Sequence, residues 1–139
     1  MLRSRKRLIS RNVILFVVAL SMIVGASMAY AEGFTRMGLI QRIPISGTAV
    51  RDTISGGDGN SANDMAKGYL MWTAAGNEFW VRRNTSTRAT FETNSLKVPA
   101  DQQLVLTPLQ AVKSGDSYYH VLEITGAAAD TLFRVQLWR

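Results

Sequence analysis

The chain has no cysteine among its 139 residues, only one histidine and three prolines. Without cysteine there are no disulfides, no thiolate metal ligands, no cysteine nucleophile and no lipid attached at a cysteine. A folded domain of this chain must therefore rest on its apolar core. With a single histidine, His120, few groups are available for acid–base work near neutral pH. No G-x-S-x-G elbow or other nucleophile signature is present. No metal site and no cofactor are read from the sequence.

Charge is scarce and unevenly placed. The net charge is +6, from 16 basic and 10 acidic residues. Five of those bases, Arg3, Arg5, Lys6, Arg7 and Arg11, sit in the first eleven residues. The rest of the chain then carries eleven bases against ten acids, nearly neutral. That balance gives no reason to expect a nucleic-acid partner. The basic start is followed by an uncharged apolar run, Val13 to Ala26, and by small residues ending Ala29-Tyr30-Ala31. A basic region, an apolar region and an A-x-A end together read as a secretory signal peptide over residues 1–31. Glu32 is then the mature N-terminus, and residues 32–139 form one exported domain. The alternative is an uncleaved anchor over residues 12–31. Its twenty residues, at about 1.5 Å rise each, reach across about 30 Å of hydrocarbon. Both readings put the domain outside the cytoplasm, periplasmic or extracellular, because the basic flank stays inside.

Residues 32–139 read as strands punctuated by turns, spaced about every ten residues, as in an antiparallel β-sandwich or small barrel. Strands are expected over Met37–Ile45, Thr48–Ile54, Tyr69–Ala75, Glu78–Arg83, Arg88–Thr93, Ser95–Val98, Gln103–Leu106, Leu109–Val112, Ser117–Thr125 and Thr131–Trp138. Pro44 argues that the first is an edge strand or bent. The one helical stretch is Ser61–Lys67. Gly76-Asn77 between two strand-like runs signals a two-residue hairpin. A second hairpin is expected between the last two strands, around Gly126–Asp130. Alternation places Phe133, Val135 and Leu137 on a core face, with Arg134 and Gln136 opposite. His120, Leu122 and Ile124 share a face, and Glu123 marks the wetter side.

A two-residue turn at Gly76-Asn77 would bring Tyr69, Met71, Thr73, Trp80 and Arg82 onto one face, opposite Trp72, Phe79 and Val81. Aromatic rings beside a guanidinium can stack on a sugar or anchor a protein partner. The candidate binding residues are thus Tyr69, Met71, Trp80, Arg82 and Arg83. Arg82, Arg83 and Arg88 form the densest basic cluster. The competing reading buries both faces of that hairpin, with Trp80 in the core and Arg82 extending to water. Gly56–Ser61 begins like a calcium β-roll repeat, but Ser61 replaces the liganding acid and there is one copy where stacked copies are needed. As an EF-hand loop from Asp58 it has Ala62 where an oxygen ligand belongs. Glu78, Glu92 and Glu123 supply carboxylates, in a chain too short to build a glycosidase cleft readily. Asn84-Thr85-Ser86 matches a glycosylation acceptor, which matters only in a eukaryotic secretory pathway.

These features point to an exported, non-enzymatic, all-β domain that binds a protein or an envelope polysaccharide. Two other classes stay open: a small secreted hydrolase using His120, and a membrane-tethered structural subunit of an envelope complex.

Overall fold

Strand-favouring residues at short spacing, bounded by turns at Gly76, Asp101 and Gly115, are the local cause of the architecture. In the computed structural model the described residues are 16, 18–24, 33–55, 65–85, 90–107 and 110–139. Among them are nine strands: β1 (Arg36–Ile45), β2 (Val50–Ser55), β3 (Gly68–Thr73), β4 (Phe79–Arg83), β5 (Leu96–Val98), β6 (Leu104–Leu106), β7 (Val112–Ser114), β8 (Ser117–Gly126) and β9 (Asp130–Trp138). They form two antiparallel sheets. Sheet A runs β1-β9-β3-β6, and sheet B runs β2-β8-β4-β5 with β7 also paired to β8. β1, which carries Pro44, lies at the edge of sheet A.

The two expected hairpins are absent, and the reason is the same for both. β3 pairs with β6 and β9, while β4 pairs with β5 and β8. The chain therefore crosses from sheet A to sheet B at Gly76-Asn77 instead of folding back. Ala74 to Glu78 are spent on that crossing. Gly76 adopts φ +73°, a left-handed conformation that glycine enters without a Cβ penalty. The Asp130 carboxylate accepts from Ala75 N at 3.1 Å and from Asn77 Nδ2 at 3.0 Å. Asp101 N donates to Gly76 O at 2.9 Å. These tethers come from the start of β9 and from the β5–β6 connection, so a local turn signal cannot reveal them. In the same way β8 and β9 lie in different sheets, and residues 127–129 cross between them. The Gly115 turn does close a hairpin, joining β7 to β8.

β8 holds two partners along one side, β7 near its start and β4 near its end. Asn84 closes the seam between them. Its backbone N donates to Val121 O at 3.1 Å. Its side-chain oxygen accepts from Val121 N at 3.2 Å, and its Nδ2 donates to Gln110 O. Asn84 is only 2 % exposed.

Two apolar clusters result. Between the sheets pack Tyr69, Met71, Phe79, Val81, Leu122, Ile124 and Leu132 with others. On the far side of sheet A pack Phe34, Leu70, Trp72, Phe133, Val135 and Leu137. The expected core face of β9 is thus buried, but on the outside of sheet A. The opposite face, with Leu132 and Arg134, fills the space between the sheets. β3 is buried at every position, and β9 continuously from Leu132 to Val135, the pattern of strands covered on both sides. In sheet B buried and part-exposed positions alternate over Leu122–Gly126, where Glu123 faces outward as expected, but Val121 on the same side is buried. The expected strand Arg88–Thr93 reduces to one bridge, Phe91 to Asn84, among the described residues. Met65 to Lys67 are not helical. The rest of that expected helix lies outside the described residues, as do the Gly56–Ser61 loop and Arg88.

Candidate binding site

The structure does not bring the five candidate binding residues together. Tyr69 and Met71 are fully buried between the sheets. Trp80 and Arg82 lie on the outer face of sheet B. Lys97 sits over the Trp80 ring at 5.4 Å and is also paired with Glu78 at 2.7 Å. Arg82 is ion-paired with Glu123 and lies 5.9 Å from the Phe91 ring centroid. Arg83 turns the other way, pairing with Glu92 and donating from Nη1 to Thr107 O at 2.7 Å. The expected shared face required β3 and β4 to be neighbours, and they belong to different sheets.

His120 is 3 % exposed and sits between the sheets. Its Nδ1 is 2.6 Å from the Tyr69 hydroxyl, and the two rings meet edge-on at 83°. Burial pushes the Tyr69 hydroxyl well above its ordinary range, so it keeps its proton. Burial, and then the nearby Lys67 charge, lowers His120 from 6.5 to about 4. At neutral pH the ring is therefore uncharged, and its tautomer sets which of Nδ1 and the Tyr69 hydroxyl donates in the hydrogen bond between them. Next to this pair, Arg134 Nε donates to Asp52 Oδ2 at 2.7 Å, and the guanidinium lies 5.6 Å from the Tyr69 ring centroid. Burial raises the Asp52 carboxyl, while the Arg134 charge and hydrogen bond pull it down. Both polar contacts bridge the sheets: Tyr69 and Arg134 come from sheet A, His120 and Asp52 from sheet B. They tie the sheets at one register.

The outer face of sheet A is different in kind. Leu70 and Trp72 of β3 stand beside Phe133, Val135 and Leu137 of β9. The Trp72 and Phe133 rings lie 5.4 Å apart, tilted by 35°. Phe34 covers one part, and Met37, Ile40 and Val105 form a half-buried margin. Across this face lies helical segment 18–24. Val18 and Met22 pack on the apolar cluster, and Gln103 Nε2 donates to Ser21 O at 2.9 Å. A cleft of about 250 Å³ opens at this end, bounded by Ser21, Trp72, Gly76, Asp101, Gln103 and Phe133. Gln103 Oε1 is buried there without a hydrogen-bond partner. The cluster is itself buried, Leu70, Val135 and Leu137 completely, and helical segment 18–24 forms part of its cover.

The sequence reading missed this face, although a signal was present. Tyr69–Trp72 and Leu132–Val135 place large side chains at consecutive positions. A strand with one wet side does not do that.

No family model matches the chain, and no curated relative matches it. Among solved structures, PirA aligns at TM-score 0.43 and 8 % identity, covering 70 % of this chain and 92 % of that one. A cupin superfamily protein from Desulfitobacterium hafniense aligns at TM-score 0.34 and 11 % identity, covering 76 % and 83 %. Neither likeness is close enough to carry a function across.

Proposed function

We propose that the chain is an exported β-domain that binds a protein partner, taking an apolar helix of that partner on the outer face of sheet A. The observation that carries this reading is the seating of residues 18–24. That segment lies as a helix over Trp72 and Phe133, with Val18 and Met22 on the apolar cluster and Ser21 O held by Gln103. A face that takes one apolar helix by side-chain packing and a backbone hydrogen bond is suited to take another. Export is supported by the basic, apolar and small-residue order of residues 1–31. Should the leader stay in place, the same domain is a membrane-tethered subunit. Among the described residues no helix is long and apolar enough to cross a membrane. The envelope-polymer reading keeps only Trp80 and Arg82 of the original five residues. There Arg82 is spoken for by Glu123 and Lys97 by Glu78, so the protein reading is favoured.

A photo-crosslinking side chain placed at Gln103 or Val105, in the protein as it occurs in the envelope, tests this. One discrete adduct is expected, with its crosslink in an uncharged helix-forming segment of the partner. The same probe at Thr53, on the outer face of sheet B, should give none. Equal adducts from both faces, or none from Gln103 and Val105, would refute the proposal.

A further inference from the structure

Helical segment 18–24 has two sides of the same chemistry but different surroundings. Val18, Ser21 and Met22 recur at i, i+3 and i+4 and form one stripe, the spacing by which a helix anchors in a groove. That stripe is half-buried against sheet A. The other side is also apolar and is open to water, with Phe16 68 % and Ile23 65 % exposed and Leu20 and Val24 about half so. A helix that is apolar all round does not stand stably on a wet protein surface. Its ordinary setting is a core or a bilayer. The face of sheet A covers one side of this helix, whereas a bilayer covers every side.

From this we infer that residues 18–24 are a provisional, intramolecular occupant of the face. They stand in for the partner's helix and keep the face closed until the leader enters the membrane and is removed. This rests on the function proposed above and adds its regulation. The stand-in also describes the ligand that replaces it: an uncharged helix with apolar residues at i and i+4 and a small residue at i+3. Gln103 sharpens that description. Its Nε2 reads a helix carbonyl, which any sequence offers. Its Oε1 is buried without a partner, so a helix that brings a side-chain donor to it holds the site more tightly than the leader does. Occupation by the leader keeps Trp72 and Phe133 from water in the precursor, and its loss uncovers them to the partner.

The test uses the refolded full-length chain with Trp80→Phe and Trp138→Phe, which leaves Trp72 as the one fluorophore. In this background Trp72 is expected to resist acrylamide. Adding Met22→Asp should free it to quencher while far-ultraviolet dichroism keeps its strand signal. A peptide of residues 13–26, flanked by lysines for solubility, is then titrated into the Met22→Asp chain. It should restore protection saturably. Peptides carrying Val18→Asp or Met22→Asp should bind about tenfold more weakly or worse. Peptides carrying Leu20→Asp or Ile23→Asp, on the open side, should stay within about twofold of the parent. Equal loss in all four peptides would show plain hydrophobic adsorption and overturn the inference, as would the absence of saturable binding. An intact N-terminus on protein recovered from membranes, in place of Glu32, would overturn release by processing. A crosslinked partner without peptide binding leaves the proposed function standing and removes this inference. Peptide binding without any crosslinked partner removes the proposed function, and the stand-in role falls with it.

Discussion

His120 offers a direct measure of how well the two sheets exclude water. It is the chain's one histidine, so its ring signals in a proton spectrum need little assignment. The folded ring is lowered from 6.5 to about 4 by burial, with a smaller push from Lys67. At about 1.4 kcal/mol per pH unit, that difference is worth on the order of 3 kcal/mol. The sign follows from which state takes up the proton first. At pH values above the unfolded pKa the ring is neutral in both states and contributes nothing. As pH falls below it, the unfolded chain binds a proton that the folded ring refuses until pH is near 4. Stability therefore drops across that window and levels off below it. Asp52 works in the opposite direction. Burial raises its carboxyl, so the folded state accepts that proton first and recovers part of the loss at the acid end. A domain of this size holds only about 5–15 kcal/mol, so the change is large enough to see. Urea unfolding at about pH 7.5 and about pH 4.5 is the assay. His120→Gln keeps an acceptor for the Tyr69 hydroxyl and cannot titrate, so its stability should be nearly flat over the window. A folded His120 ring titrating near its ordinary value would refute the reasoning. So would a His120→Gln variant that keeps the full slope.

Leu132→Ala, in the core between the sheets, should lower stability by about 2–5 kcal/mol. Gln136→Ala loses only a 3.3 Å bond to Ser55 O and should cost under about 1 kcal/mol; denaturant midpoints separate the two. Gly76→Ala should lower the thermal midpoint more than Gly115→Ala. Both glycines have positive φ, but a Cβ at Gly76 would stand 2.2 Å from Asp101 Oδ1, whereas one at Gly115 meets open space. Arg134→Met should cost about 3–5 kcal/mol because it strands the Asp52 charge, while Arg134→Met with Asp52→Leu should restore most of that loss. Equal stability of those single and double variants, measured by unfolding, would show that the pair is not desolvated.

Strand positions were largely legible, because β-branched and aromatic runs between turn residues are local signals. Pairing was not. At Gly76-Asn77 the residues announce a turn, but Asp130 and Asp101 decide where the chain goes next, and both are remote in sequence. The expected binding face failed with that pairing, since it put buried Tyr69 beside half-exposed Trp80. In sheet B alternation served in part: Glu123 falls on the outer side of β8 as read, partly exposed and paired with Arg82, while Val121 on that side is buried. In sheet A it did not, because both sides of β9 are covered and alternation offers no wet side to find. Arg134 read as solvated because charge normally is. Only the approach of Asp52 from the other sheet makes its burial tolerable, and no spacing in one strand shows that. His120 was correctly placed with Leu122 and Ile124, though its hydroxyl partner, 51 positions away in sequence, was invisible.

Asn84 has a practical consequence for anyone producing this protein in yeast or animal cells. Its Asn84-Thr85-Ser86 triplet would be recognised by the glycosylation machinery as the nascent chain emerges, before the seam between β4 and β7 has closed. A sugar on Nδ2 would take the nitrogen that bonds Gln110 O, at a position with no room for a glycan. Each modified molecule would be denied its final shape, and the secretory quality-control system would retain it. Changing Ser86 to alanine abolishes the acceptor while leaving Asn84 itself intact. It is the substitution to make before moving the gene into such a host.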